Sequence, residues 1–398
     1  MNILLVQESD WLSRNPHQQH HLMERLSIRG HAIRVIDYDI DWKKKKDRKI
    51  TIPRTEYLNI HKIIPDAHIH VIRPRSFRIP VLDYLTLMIT HRSEIKKQIR
   101  EFKPDIIIGF GILNAWIASY YAKRHSIPFV YYWIDALDTL IPEKALQIIG
   151  RFLERGTITR SYKVVAINEK LRDYTISLGA APEKTAVIGA GIDLERFHPG
   201  IDGTKIRDAY GIRPDDIVLF FMGWLYHFSG LKEVAVELAT HRDEYCNVKL
   251  LIVGDGDAFD DLVAIKEKYQ LDNQIILTGK KPYEEIPEYI AAADVCILPA
   301  YPDEPIMQDI VPIKLYEYLA MGKPVITTKL PGIMKEFGEG NGVVYVKIPE
   351  MTINQSIYLK KTEENESDNN NPREFVMNLD WKKITDTFEN RLVSACHG

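Results

Sequence analysis

Cysteine is scarce: Cys246, Cys296 and Cys396 are the only three in 398 residues, far apart, with no C-x-x-C pair and no nearby histidine set. This excludes a disulfide framework and a cysteine-ligated zinc centre, and a reducing cytoplasm is the expected home. Long apolar runs are lacking too. The longest uncharged stretch, Ile106 to Ala122, is short for a bilayer span and is interrupted by Gly109, Gly111, Asn114 and Ser119, so strand, glycine turn and helix is the better reading. Met1-Asn2-Ile3-Leu4-Leu5-Val6 has no cationic lead-in and reads as a first strand rather than a signal peptide. Nor does one sign of charge dominate: a formal net charge of -3 with 27% charged residues excludes both an acidic disordered chain and a globally basic nucleic-acid binder.

What is present is apolar surface, 45% of residues, in a chain long enough for two or three domains. Charge is unevenly spread. Residues 1–199 hold 31 Lys and Arg against 22 Asp and Glu, a surplus of +9, and the remainder holds 21 against 33, which is -12. The run 43–49, with Lys43, Lys44, Lys45, Lys46, Arg48 and Lys49, and the trio Arg73, Arg75 and Arg78 suit an anionic membrane surface or phosphate; a solvated loop is an equal alternative.

Short apolar runs alternate with amphipathic stretches, the pattern of βαβ units and a parallel sheet. Strands are predicted at Ile3 to Val6, Ala32 to Tyr38, Ile69 to Ile72, Ile106 to Ile108, Phe129 to Trp133, Lys163 to Ile167 and Ala186 to Ile188. After the turn-rich segment Gly189 to Gly200 the alternation begins again, at Ile217, Val248, Ile275, Val295, Val325 and Val343. The expected organisation is an α/β protein of two doubly wound Rossmann-like domains, 1–199 and 200–375, with a closing helix in 376–398.

The most informative segment runs from Ile306 to Ile326. Pro312 presets a first helical turn, so the amides near Ile310 and Val311 would suit a phosphate. Lys314 follows one turn in, and Glu317 shares its face, where a carboxylate could bind a ribose diol. Asp309 stands eight residues before Glu317. A plainer reading stays open, in which Asp309 caps the helix and Lys314 and Glu317 form a surface pair.

The run Pro312-x-Lys314-x-x-Glu317-Tyr318-x-Ala320-x-Gly322-Lys323-Pro324-Val325 resembles the carboxylate-x7-carboxylate element of retaining glycosyltransferases of family 4. The same order of motifs continues in Phe221-Met222-Gly223-Trp224, Val253-Gly254-Asp255-Gly256, Leu277-Thr278-Gly279, and Gly191-Ile192-Asp193 with Phe197-His198-Pro199. The resemblance implies a GT-B fold, with the nucleotide-sugar donor on the second domain and the acceptor on the first. It implies that Glu317 holds the ribose, that Asp309 contacts sugar hydroxyls, and that the amides of Ile310 and Val311 face the diphosphate. Gly223, at a strand end, would let the backbone approach the diphosphate, and Gly254 and Gly256 would shape the nucleotide-base side. No cofactor or metal is implied; the donor would be a UDP- or GDP-linked sugar.

Three departures stand out. Family members place Arg where this chain has Trp224 and Lys-Gly where it has Ser229-Gly230; Lys314, Lys280 or Lys281 could substitute, and Lys314 is the expected one. Asp309 stands where Glu is usual. Many relatives have His after the strand matching Ile106 to Ile108, where this chain has Gly109-Phe110-Gly111; Gly109 and Gly111 are either acceptor-side positions or packing devices. Asp135 and Asp138 are two further acceptor-side candidates, with capping as the alternative.

Asp37-Tyr38-Asp39 and Asp255-Gly256-Asp257 are weak metal-site patterns, and His17, His20 and His21 read as a solvated helix start. The expected function is hexosyl transfer with retention to a lipid-linked or saccharide acceptor in cell-envelope polysaccharide or glycolipid synthesis, at the inner face of the membrane. The alternatives are a nucleotide-sugar-binding subunit without activity and a sugar-nucleotide epimerase of the same fold.

Overall fold

The computed structural model describes residues 1–13, 16–39, 49–79, 82–134, 144–308, 311–363 and 372–397. The chain divides into two units, Met1–Gly191 with Trp381–Gly398, and Ile192–Asp380. The breaks fall at 191/192 and 380/381 rather than at 199/200 and 375/376.

In the first unit the described strands are β1 (Asn2–Val6), β2 (Ala32–Ile36), β3 (Thr51–Ile52), β4 (Thr55–Ile60), β5 (Ile69–Arg73), β6 (Ser76–Phe77), β7 (Ile106–Gly109), β8 (Phe129–Trp133), β9 (Lys163–Ala166) and β10 (Thr185–Val187). Their main sheet has the order β10-β9-β8-β7-β1-β2-β5-β4, parallel except for β4, which runs antiparallel to β5; β3 and β6 form a separate ribbon. Apolar runs such as Ile106-Ile107-Ile108 arise because both faces of a parallel sheet are covered. Successive residues of β1 point to opposite faces, so Ile3 and Leu5 join one core while Leu4 and Val6 join the other.

The helix Trp381–His397 closes the first core with Trp381, Phe388, Leu392 and Ala395. A Cβ on Gly191 would lie 2.6 Å from the Trp381 ring, so glycine is needed where the chain passes this helix. Glu389 anchors it further, accepting from Arg29 and from His31, each at 2.6 Å. An aromatic as buried as Phe388 is worth about 3–5 kcal/mol against alanine.

Two sequence expectations fail here. At the start of the first helix, Gln18–Ile28, His17 is exposed as expected, but His20 and His21 are buried rather than solvated. His20 lies 4.1 Å from the Trp11 ring, and burial pushes its pKa down to about 3, so it is neutral; His21 stacks on Trp381 at 4.4 Å. Arg73 and Arg78 are likewise not a phosphate-facing pair. Arg73 is buried and donates to Asp10 and Asp37, and Arg78 donates to Asp39, so the Asp37-Tyr38-Asp39 carboxylates are held by guanidinium groups. A buried charge persists only when paired in this way.

The second unit contains β11 (Ile217–Trp224), β12 (Val248–Asp255), β13 (Ile275–Leu277), β14 (Val295–Leu298), β15 (Val325–Thr328) and β16 (Val343–Val346) in the order β13-β12-β11-β14-β15-β16. All pairings are parallel. From β11 the chain winds outward through β12 and β13, then returns to β14 on the other side and winds away. This makes the β11/β14 boundary a topological switch point, where the carboxyl ends of strands leave a crevice.

Candidate active site

β11 runs past the end of its pairing with β14, and its register with β12 sets Gly223 opposite Gly254 and Trp224 opposite Asp255. Both glycines have positive φ, +126° and +151°. A Cβ on Gly254 would lie 1.9 Å from the Gly223 carbonyl oxygen, and one on Gly256 would lie 2.5 Å from the Leu225 amide nitrogen. The strand ends are thus pressed together in a way only glycine allows. Gly254→Ala is expected to destabilise the second unit by about 2 kcal/mol or more, through strain and collision together. Denaturant unfolding checks this, and an unchanged midpoint would contradict it.

At Gly230, with φ +71°, a Cβ would fall 1.8 Å from the Pro299 carbonyl oxygen. The amino end of the helix Leu231–Thr240 therefore sits directly against the chain leaving β14. Ser229 is buried beside it, and its Oγ has no hydrogen-bond partner among the described residues.

Helix Ile313–Ala320 brings the charged pair to the same crevice. A Cβ on Gly223 would lie 2.7 Å from Lys314 Nζ, so the ammonium rests where a side chain at 223 would be. It also lies 4.1 Å from the Phe221 ring centroid, a cation–π contact. Burial lowers the Lys314 pKa to about 8, with Glu317 opposing the shift. Glu317, one turn further on, is 5% exposed and accepts a hydrogen bond from Tyr283 Oη at 2.8 Å. Burial raises its pKa to about 7, against the Tyr283 hydrogen bond and the charges of Lys314 and Arg196. A solvated surface pair is therefore not what Lys314 and Glu317 form. Tyr318 turns the other way, accepting from the Met222 amide at 3.0 Å and fixing the helix to β11.

Trp224 is 44% exposed, with Nε1 donating to Asp257 at 3.2 Å and Lys280 Nζ 5.3 Å from its ring centroid. The carboxylates of Asp255 and Asp257 are thus engaged with Lys280 and Trp224. Val311 is half-buried against the core. Asp309, Ile310, Asp135, Asp138 and residues 43–48 lie outside the described residues.

In the first unit, Gly109 ends β7, and a Cβ there would lie 2.5 Å from the Phe129 ring, a packing reason for its glycine. Gly111 has φ +97°, and a Cβ would meet Glu8 at 3.0 Å. Glu8 follows β1 and accepts from the Asn114 amide at 2.6 Å, at the start of the helix Leu113–Arg124. Burial raises its pKa to about 7 despite bonds from the Asn114, Leu113 and Ile112 amides. Sequence reasoning missed Glu8, although a carboxylate just past a strand end is a recognisable sign. It also missed Tyr283 and Arg196, which only the fold brings to Glu317.

The family description Glycosyltransferase Family 4 matches residues 18–196, and Glycosyl transferases group 1 matches residues 202–374. The chain belongs to the group 1 glycosyltransferases. Among the relatives of this family member is TuaC of Bacillus subtilis (strain 168), provisionally named a teichuronic acid biosynthesis glycosyltransferase, 26% identical over 60% of this chain. Another is the UDP-Gal:alpha-D-GlcNAc-diphosphoundecaprenol alpha-1,3-galactosyltransferase of Escherichia coli, 23% identical over 65% of this chain. The matches span 57% and 67% of those two proteins' own lengths. Among solved structures, HepE of Anabaena in complex with UDP superposes with a TM-score of 0.70 at 17% identity, covering 99% of this chain and 100% of that one. The fold is GT-B, two Rossmann-like domains, as the resemblance implied. Among the described residues no helix is long and apolar enough to cross a membrane.

Proposed function

We propose that this glycosyltransferase moves a hexosyl group from a UDP- or GDP-sugar to a hydroxyl with retention and without a metal ion. The observation that carries this reading is the Lys314 ammonium lodged against Gly223 at the switch point, with buried Glu317 one turn beyond it. Glu317 binds the ribose diol as a carboxylate, and Tyr283 orients it. Lys314, the Gly223 backbone and the amino end of Leu231–Thr240 receive the diphosphate, with Ser229 Oγ as a further donor. The bond from the anomeric carbon to the phosphate oxygen breaks while a bond to the acceptor oxygen forms on the same face. The acceptor proton passes to the departing phosphate oxygen. Lys314 neutralises charge that grows as the diphosphate leaves, which is where a fixed cation accelerates most.

Asp309 holds sugar hydroxyls in this reading, and the Ile310 and Val311 amides complete the diphosphate site. The first unit takes the acceptor, with Gly109, Gly111, Asp135 and Asp138 on that side. The names of the relatives, one acting on alpha-D-GlcNAc-diphosphoundecaprenol and one in teichuronic acid synthesis, support a lipid-linked or saccharide acceptor in the cell envelope. Trp224 and Ser229, standing where cations are usual, favour one rival, a nucleotide-sugar-binding subunit without transfer activity.

Product analysis with and without acceptor tests the proposal. Acceptor-dependent release of nucleoside diphosphate, with an anomeric configuration matching the donor, is the expected result. A changed donor sugar without acceptor would mean epimerisation, and no product with any donor would favour the binding subunit.

A further inference from the structure

The first unit carries an exposed apolar stripe that its core does not use. On the helix Lys144–Arg160, Ile148 is 71% exposed, Phe152 71% and Ile149 54%. Residues 148, 152 and 155 fall on one helical face, so Arg155 extends the apolar stripe, and exposed Arg151 flanks it one turn before. The carboxylate of Glu154, by contrast, is buried. Ile158 of this helix enters the same core layer as Ala115 and Ala118 of Leu113–Arg124 and Ile95 and Ile99 of Leu82–Glu101, so the three helices cover one face of the sheet.

Their outward sides are mainly basic, with exposed Glu101 paired to Arg100 at 3.1 Å. Leu113–Arg124 contains no acidic residue and exposes Tyr120, Lys123 and Arg124. On Leu82–Glu101, Arg92, Lys96 and Arg100 are exposed while Glu94 is buried beneath Arg54. Ile89, Arg92, Ser93, Lys96, Lys97 and Arg100 line a shallow groove there. Much of the surplus of positive charge in the first half of the chain thus lies on one three-helix face, next to bulky apolar side chains.

We infer that this face docks on an anionic lipid bilayer, with Ile148, Ile149 and Phe152 entering the headgroup boundary and the surrounding Arg and Lys side chains meeting lipid phosphates. Helices that lie in a membrane interface combine an apolar stripe with a basic border in this way. Charge alone would fit any polyanion. The three large apolar groups, however, gain nothing from a hydrated polymer and gain burial in acyl chains. The inference rests on the first unit alone and stands apart from the donor-site reading.

The test is co-sedimentation of the 398-residue chain with vesicles of phosphatidylglycerol and phosphatidylcholine, against phosphatidylcholine alone, at low and high salt. Binding to the anionic vesicles is expected, weakening as salt rises. The double variant Ile148→Asp with Phe152→Asp should lower the partition coefficient at least tenfold, and Lys96→Gln or Arg155→Gln about fivefold each. Thermal midpoints of the variants should match the parent, since all four side chains are outward. Equal sedimentation of the Asp variant and the parent would overturn the proposal. So would an absence of binding, or a dimer of the parent by light scattering that Phe152→Asp dissolves, which would make the occupant a second copy. Nucleotide stabilisation, measured in parallel, reports on the donor reading separately.

Discussion

Lys314→Met is expected to lower kcat by about 10²–10³, with the fold intact. In this chain the two cations usual beside the leaving diphosphate are replaced by Trp224 and Ser229, and Lys314 is the ammonium that rests on the Gly223 backbone. Methionine keeps the length and the contact with Phe221 but removes the charge. The pKa of about 8 adds a signature. Lysine acts as a cation only below its pKa, so kcat/KM of the parent, which reports the ligand-free enzyme, should fall as pH rises through 8. That limb should vanish in Lys314→Met. A variant retaining both the rate and the limb would show that the diphosphate is neutralised elsewhere.

The second large effect concerns stability. Glu317 has a folded pKa of about 7 against 4.5 for an ordinary glutamate, so the folded state holds its proton more tightly than the unfolded one. Its stabilising contribution is therefore whole below pH 4.5 and is lost as pH rises through 7. At pH 8 the buried carboxylate costs about 3 kcal/mol, from 1.36 kcal/mol per pKa unit. Glu317→Gln keeps the shape and an oxygen for Tyr283 while removing the charge. The ligand-free variant should be more stable than the parent by about that amount at pH 8, and equal to it at pH 4. Denaturant titrations at the two pH values check this; an equal difference at both would assign the effect to packing. Stability given up at a binding carboxylate is the usual trade between function and folding.

The strand-and-helix alternation was readable because buried parallel strands and crossover helices differ so strongly in apolar period. The motif from Pro312 to Val325, and Gly223, Gly254 and Gly256, were readable because turn chemistry and close approach leave their mark on residue type. β4 was not, since its half-exposed Thr55-Glu56-Tyr57-Leu58-Asn59-Ile60 owes its structure to pairing with β5. The burial of His20 and His21 was not, because a polar residue type gives no hint of the Trp11 and Trp381 rings that cover it. Nor did any local pattern join Tyr283 to Glu317, 34 positions away, or set the Lys314 ammonium on Gly223. Those facts depend on how two strands and a helix meet at the switch point.

The central claim is that the crevice around Gly223, Lys314 and Glu317 binds a nucleoside diphosphate. Thermal stabilisation by UDP, GDP, ADP and CMP, on the parent and on Glu317→Ala, tests it most directly. A ligand at about 100 times its dissociation constant adds roughly 2.7 kcal/mol to the native state. The account predicts a raised midpoint with UDP or GDP, and no rise in Glu317→Ala relative to its own ligand-free midpoint. If no nucleotide stabilises the parent, or if the same nucleotide stabilises Glu317→Ala equally well, the site is not where the geometry places it.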